Sequence, residues 1–130
     1  MNIKQAITAY SLLLKAIGDK EVKSQATAKR AANGLAELLD GYLIDIPNLF
    51  VVEDEEGKNQ VVVVKDIEFT SLCAHHLLPF TGRVHVGYLP IDRVIGVSKI
   101  ARLVLAYAHR LQLQEKLTKQ IATTLMTTLN

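Results

Sequence analysis

The stretch QVVVVKDIEF, residues 60–69, decides the fold class. Its first half is β-branched and apolar, and its second half alternates through Lys65, Asp66, Ile67, Glu68 and Phe69. Such residues suit a pleated, half-buried surface, and alternation sends successive side chains to opposite faces of a strand. The stretch RVHVGYL, residues 83–89, behaves alike, with Val84, Val86 and Tyr88 opposite Arg83, His85 and Gly87. Between them, Ser71 to Gly82 holds Cys73, His75, His76 and Pro79 and is too punctuated for a continuous strand. Upstream, Phe50-Val51-Val52 reads as a short strand. The acidic, Gly-containing run Glu53 to Asn59 that follows it reads as a solvated turn.

Helical periodicity flanks this region on both sides. Ile3, Ala6, Ile7, Tyr10, Leu13, Leu14 and Ile17 fall on one face of a helix over residues 2–17, and Gly18-Asp19 breaks it. A second helix is expected from Glu21 to Leu39, stopped at Gly41. Tyr42 to Leu49, with Pro47, reads as a loop. Beyond the strands, Ile100, Leu103, Val104, Tyr107 and Leu111 mark a third helix with Ser98 as its N-cap. Leu117, Ile121, Leu125 and Leu129 mark a fourth over residues 113–129. Strands and helices are segregated, so the expected class is α+β rather than alternating α/β. A sheet of two long strands is a poor independent unit, and its edges need partners from another subunit or from further sequence.

The chain has 130 residues, of which 49% are hydrophobic, enough for one domain with a core and against wholesale disorder. A net charge of +2 is too balanced for a nucleic-acid binder that relies on phosphate attraction. No apolar run approaches the roughly 18 residues of a membrane span, and no signal peptide is legible, so no membrane partner and a cytoplasmic location are expected. The single cysteine, Cys73, excludes an intrachain disulfide and suits a reducing compartment.

Three clusters carry possible chemistry. Cys73-Ala74-His75-His76 places a thiolate and an imidazole within reach of one ion, and sulfur with nitrogen selects zinc; the alternative is a buried cysteine beside two hydrogen-bonded histidines. Ser98, Lys99 and Arg102 cluster at a helix start, where free N–H groups and cations can hold phosphate; the alternative is a solvated basic turn. Gln114 and Glu115 either cap the last helix or, if the carboxylate is buried, accept two N–H donors from a guanine edge.

Together these blocks are recognisable. Ser71-Leu72-Cys73-Ala74-His75-His76-Leu77-Leu78-Pro79-Phe80-Thr81-Gly82 closely resembles the zinc-site segment of the GTP cyclohydrolase I family. Val86 to Pro90, Val94 to Val104, and Gln112 to Ala122 match its following blocks in order and spacing. Upstream, Thr27-Ala28-Lys29-Arg30 and Gly41-Tyr42 are similar to its Thr-Pro-x-Arg helix and Gly-Tyr end.

The resemblance implies the tunnelling fold. This is an antiparallel sheet with two N-terminal helices and two helices packed on it, assembled as a homo-oligomer with active sites between subunits. It divides the chain into an N-terminal helical region, residues 1–49, and a partial catalytic domain, residues 50–130. It implies hydrolysis of GTP at purine C8 to formate and dihydroneopterin triphosphate. Cys73 and His76 would be zinc ligands and His75 the acid–base histidine. Ser98, Lys99, Arg102 and Arg30 would hold the triphosphate, and Gln114 and Glu115 would anchor guanine. Zinc lowers the pKa of bound water, and a histidine near pKa 6.5 moves protons on the ring.

Three departures qualify the expectation. Ala74 stands where the family has Glu, a loss that can weaken support of a metal ligand by about 10- to 100-fold. His109-Arg110-Leu111-Gln112 replaces Arg-Pro-Gln, a change that a helix start tolerates. The family continues into two strands and a His-x-Cys-x-x-Arg-Gly segment that supplies the third zinc ligand. This chain is therefore expected to be truncated, or to be completed by a separately encoded C-terminal segment. The alternatives are a non-catalytic tunnelling-fold subunit that binds a purine or pterin, and a related tunnelling-fold enzyme.

Overall fold

The computed structural model describes residues 1–18, 20, 24–50, 52–54, 60–90 and 93–129. They form two compact units, Met1–Leu39 and Asp40–Asn130.

The first unit is a helical pair, α1 (Ile3–Ile17) and α2 (Ser24–Leu38). Asn2 caps α1, its side-chain oxygen accepting from Gln5 N at 3.2 Å. Gly18, at φ 78°, ends it and donates to Leu14 O. Only glycine takes that left-handed conformation at little cost, so the expected break falls there. The expected apolar face is only partly covered, since Leu13 and Ile17 are exposed. Ala28 and Ala32 are the buried residues of α2. Part of the expected start of this helix, residues 21–23, lies outside the described residues.

The second unit opens with two 3-10 turns, Asp40–Leu43 and Pro47–Leu49, where a loop is expected. Next come β1 (Val52–Asp54), β2 (Val62–Cys73), β3 (Pro79–Tyr88) and β4 (Arg93–Ile95). They are followed by α3 (Val97–Ala108), β5 (Leu111–Gln112) and α4 (Gln114–Leu129). The β2–β3 hairpin is antiparallel, from Val62↔Tyr88 to Leu72↔Pro79. Strand β5 pairs with the end of β2 in parallel, and β1 pairs with β4 as a separate ribbon.

Several expectations need correction. The segment Ser71 to Gly82 is largely strand: β2 runs on to Cys73 and β3 begins at Pro79, leaving a turn of residues 74–78. Proline is tolerated because it opens β3 and has no ladder N–H to supply there. The run Glu53 to Asn59 begins as strand, since Glu53 and Asp54 pair with β4, and residues 55–59 lie outside the described residues. The sheet is not purely antiparallel, because β5 is parallel to β2. Alternation in β2 is interrupted by a bulge between Val64 and Ile67, where Asp66 takes φ 58° and its N–H donates to His85 Nδ1 at 3.0 Å. The bulge lets Val62 and Val64, then Ile67 and Phe69, face the helices while Lys65 and Asp66 both stay outside.

Helices α3 and α4 cover one face of the sheet. Ile100, Leu103, Val104, Leu117, Ile121 and Leu125 meet Ile67, Val86 and Ile95 in a single buried cluster. Burying a side chain of this size contributes about 1.5–3 kcal/mol, so this cluster is what holds the unit's helices on its sheet. No helix among the described residues is long and apolar enough to cross a membrane.

Candidate functional site

The turn between β2 and β3 carries the first cluster. Cys73 N donates to Leu78 O and Leu77 N to Cys73 O, both at 2.9 Å, which closes the turn. Leu77 pays for the tight path with φ 59°; a non-glycine residue there costs about 1–2 kcal/mol. Cys73 is half-buried as the last residue of β2, while His75 and His76 are exposed on the turn.

The purine-anchor candidates stand next to this turn. Strand β5 sets Gln112 opposite Cys73, and Ala74 N donates to Gln112 O at 2.9 Å. Gln114 and Glu115 follow at the first turn of α4. The parallel pairing therefore sets the segment that leads into Gln114 and Glu115 beside the end of β2 and the start of its turn. Gln114 and Glu115 are both exposed, so the burial on which the sequence reading conditioned a guanine contact is not met in one copy. Among the described residues, no hydrogen bond or ion pair engages the Glu115 carboxylate, so its acceptors are free for a ligand.

Gln112 opens the third cluster of the sequence, and its burial is what the sequence did not show. It is fully buried, and its Nε2 donates to Tyr107 O at 2.7 Å and to Gln120 Oε1 at 2.8 Å. Among the described residues, its own Oε1 is buried without a hydrogen-bond partner. The only sequence signal was a polar residue between two leucines.

Ser98, Lys99 and Arg102 lie on the first turns of α3, with Ser98 and Arg102 exposed and Lys99 half-buried. Ser98 is not the N-cap: the helix begins at Val97, and Gly96 caps it without a side-chain bond. Lys99 N and Ile100 N both fold back on Gly96 O. This start sits beside Tyr88, whose hydroxyl bonds Ile95 at both N and O. That is the Val62 end of β2. The other end of α3 leads to Arg110, whose carbonyl accepts from Ser71 Oγ. From Ser98 to the last residue of α3 the helix rises about 15 Å, and from Arg102 about 9 Å. Arg30 belongs to the first unit, where its guanidinium donates to Thr27 Oγ1 at 3.2 Å.

The donor chemistry at the turn suits zinc, with one thiol and one imidazole. The set is incomplete: among the described residues no three of His, Cys, Asp and Glu come together to hold a metal ion. His76 Nδ1 also accepts from Leu78 N at 3.3 Å. That bond keeps the neutral ring protonated on Nε2, so ligation would require this long contact to give way.

Fold and site together define an α+β chain of the tunnelling-fold type. A family profile describing GTP cyclohydrolase I matches residues 6–130. The chain belongs to the GTP cyclohydrolase I family. It is 49% identical over 128 residues to GTP cyclohydrolase 1 of Methylococcus capsulatus, covering 95% of this chain and 68% of that one. It is 43% identical to GTP cyclohydrolase 1 of Rattus norvegicus and covers 52% of it. Against GTP cyclohydrolase 1 of Homo sapiens the identity is 42% and the coverage 50%. The chain therefore spans between half and about two-thirds of these relatives' length.

Proposed function

We propose that this chain contributes one part of a zinc-dependent GTP cyclohydrolase I site, acting at C8 of GTP to give formate and dihydroneopterin triphosphate. The observation that carries the reading is the Ala74–Gln112 bond, which supports a shared site for the Cys73 turn and the Glu115 anchor. Cys73 and His76 would hold zinc, with the third ligand supplied from outside these residues. Bound zinc supplies a Lewis acid that activates water near neutral pH.

The chain's own residues do the rest. Glu115 accepts the N1–H and 2-amino donors of guanine, which adenine cannot offer in that pattern, and Gln114 flanks it. His75, exposed beside the ligands, donates and accepts the ring proton. Ser98, Lys99 and Arg102 receive the triphosphate from a neighbouring copy, with Arg30 as a further phosphate cation. GTP is thus the substrate, and a homo-oligomer the working form.

Zinc content and formate release are the test, measured for the chain alone and with a segment carrying His-x-Cys-x-x-Arg-Gly. Zinc binding, and formate release once the segment is present, are expected, and both should disappear in Cys73→Ser. Failure to bind zinc or GTP in either condition overturns the reading. Ala74 favours a second reading, a non-catalytic subunit that binds a purine or pterin; nucleotide and zinc binding without formate would establish it.

A further inference from the structure

Gly41-Tyr42 and His109-Arg110 are sequence features that no step of the chemistry uses. Yet they meet in a dense network in the second unit. His109 Nδ1 lies 2.7 Å from Asp40 Oδ1. Arg110 Nε donates to Gly41 O and to Ala106 O, each at 3.0 Å. Its guanidinium lies 5.6 Å from the Tyr42 ring centroid and 5.0 Å from that of Tyr107. Leu111 N donates to the Tyr42 hydroxyl at 3.1 Å. Gly41 is buried, and a β-carbon there would press on Ala106 O and lie 2.7 Å from His109 O. The turn can approach this closely only as glycine.

These bonds converge on the segment that precedes α4. From one side, the Gly41-Tyr42 turn holds Arg110 and Leu111. From the other, β2 holds Leu111 and Gln112, Ser71 Oγ donates to Arg110 O, and Ala74 N donates to Gln112 O. Glu115 leaves this segment within the next helical turn.

We propose that Tyr42 and Arg110 are positioning residues for guanine recognition, setting the register of Glu115 against the Cys73–His76 turn. The proposal rests on the reading of Glu115 as the guanine anchor. A carboxylate makes both bonds to guanine only when its plane meets the N1–H and 2-amino groups together. A small shift of its segment first weakens the second bond. Hypoxanthine lacks the 2-amino group, so the ratio of GTP to ITP affinity reports the anchor's register.

The experiment is calorimetric titration of the full chain with GTP and with ITP, alongside thermal unfolding. The proteins are the parent, Tyr42→Phe, Arg110→Lys, Glu115→Ala and a core control, Leu125→Ala. Tyr42→Phe keeps the ring over Arg110 and removes only the acceptor for Leu111 N. Tyr42→Phe and Arg110→Lys are expected to lower the GTP/ITP ratio about three- to tenfold, the scale of one weakened hydrogen bond, with ITP affinity nearly unchanged. Leu125→Ala should lower the melting temperature and leave the ratio at the parent's value, which separates positioning from general support. If the parent does not distinguish the nucleotides, or Glu115→Ala keeps the parent's ratio, the anchor reading falls and the proposal with it. If Glu115→Ala collapses the ratio while Tyr42→Phe and Arg110→Lys change stability alone, the anchor stands and the positioning role is overturned. Should Arg110→Lys fail to fold, Tyr42→Phe decides.

Discussion

Ala74 sits between the two side chains proposed to do most of the chemistry at the turn, and its own side chain offers them nothing. Its backbone is committed, with N–H to Gln112 O, while its methyl is exposed. A carboxylate at this position could orient a neighbouring imidazole and raise its basicity, as outer hydrogen-bond partners of metal ligands do. Ala74→Glu is therefore expected to tighten zinc binding by about tenfold or more, read by competition with a chelator of known affinity. Equal affinity in parent and variant would assign the carboxylate no part in holding the metal. The types of residue in this turn were legible in the sequence, since thiol, imidazole and spacing are local facts. The neighbourhood of Glu115 was not, because a two-residue parallel strand joins it to the turn.

The same contrast holds among the elements. The four helices and the two long strands announce themselves through sustained periodicity, and a core of Ile100, Leu103, Val104, Leu117, Ile121 and Leu125 follows from it. Strand β5 has no period to read, and β1 and β4 are only three residues each. The N-cap of α3 lies two residues before the expected Ser98, because Gly96 caps the helix through the backbone alone. Lys65-Asp66, two successive polar residues inside an alternating run, is the written trace of the β2 bulge. That bulge supplies a prediction at its own scale. Asp66 at φ 58° occupies a conformation that aspartate tolerates and β-branched residues resist. Asp66→Val should cost about 1–2 kcal/mol, whereas Asp66→Gly should be near neutral, since the lost ion pair with Arg83 is long at 3.9 Å and exposed. Denaturant unfolding of both variants checks this; equal destabilisation would place the cost in the side chain and not in the backbone.

At the scale of the whole molecule, two facts bear on assembly. Among the described residues, strand β3 is the edge of its sheet, with β2 on one side only, and an edge of ten residues invites pairing. Within one copy, Ser98 and Lys99, proposed to hold phosphate, lie at the start of α3, and the segment leading to Glu115, the proposed guanine anchor, follows its other end. Oligomeric assembly in this family fits both if each site takes its anchor and turn from one copy and its cations from the next. A mixing experiment tests that arrangement. Chains carrying Lys99→Ala with Arg102→Ala, and chains carrying Glu115→Ala, should each bind GTP weakly on their own. Co-refolded in equal amounts, they should recover about one quarter of the parental GTP sites. In a closed assembly that is the chance that an intact anchor meets intact neighbouring cations. If anchor and cations instead served one site in the same copy, every site in the mixture would carry a defect and mixing would restore nothing.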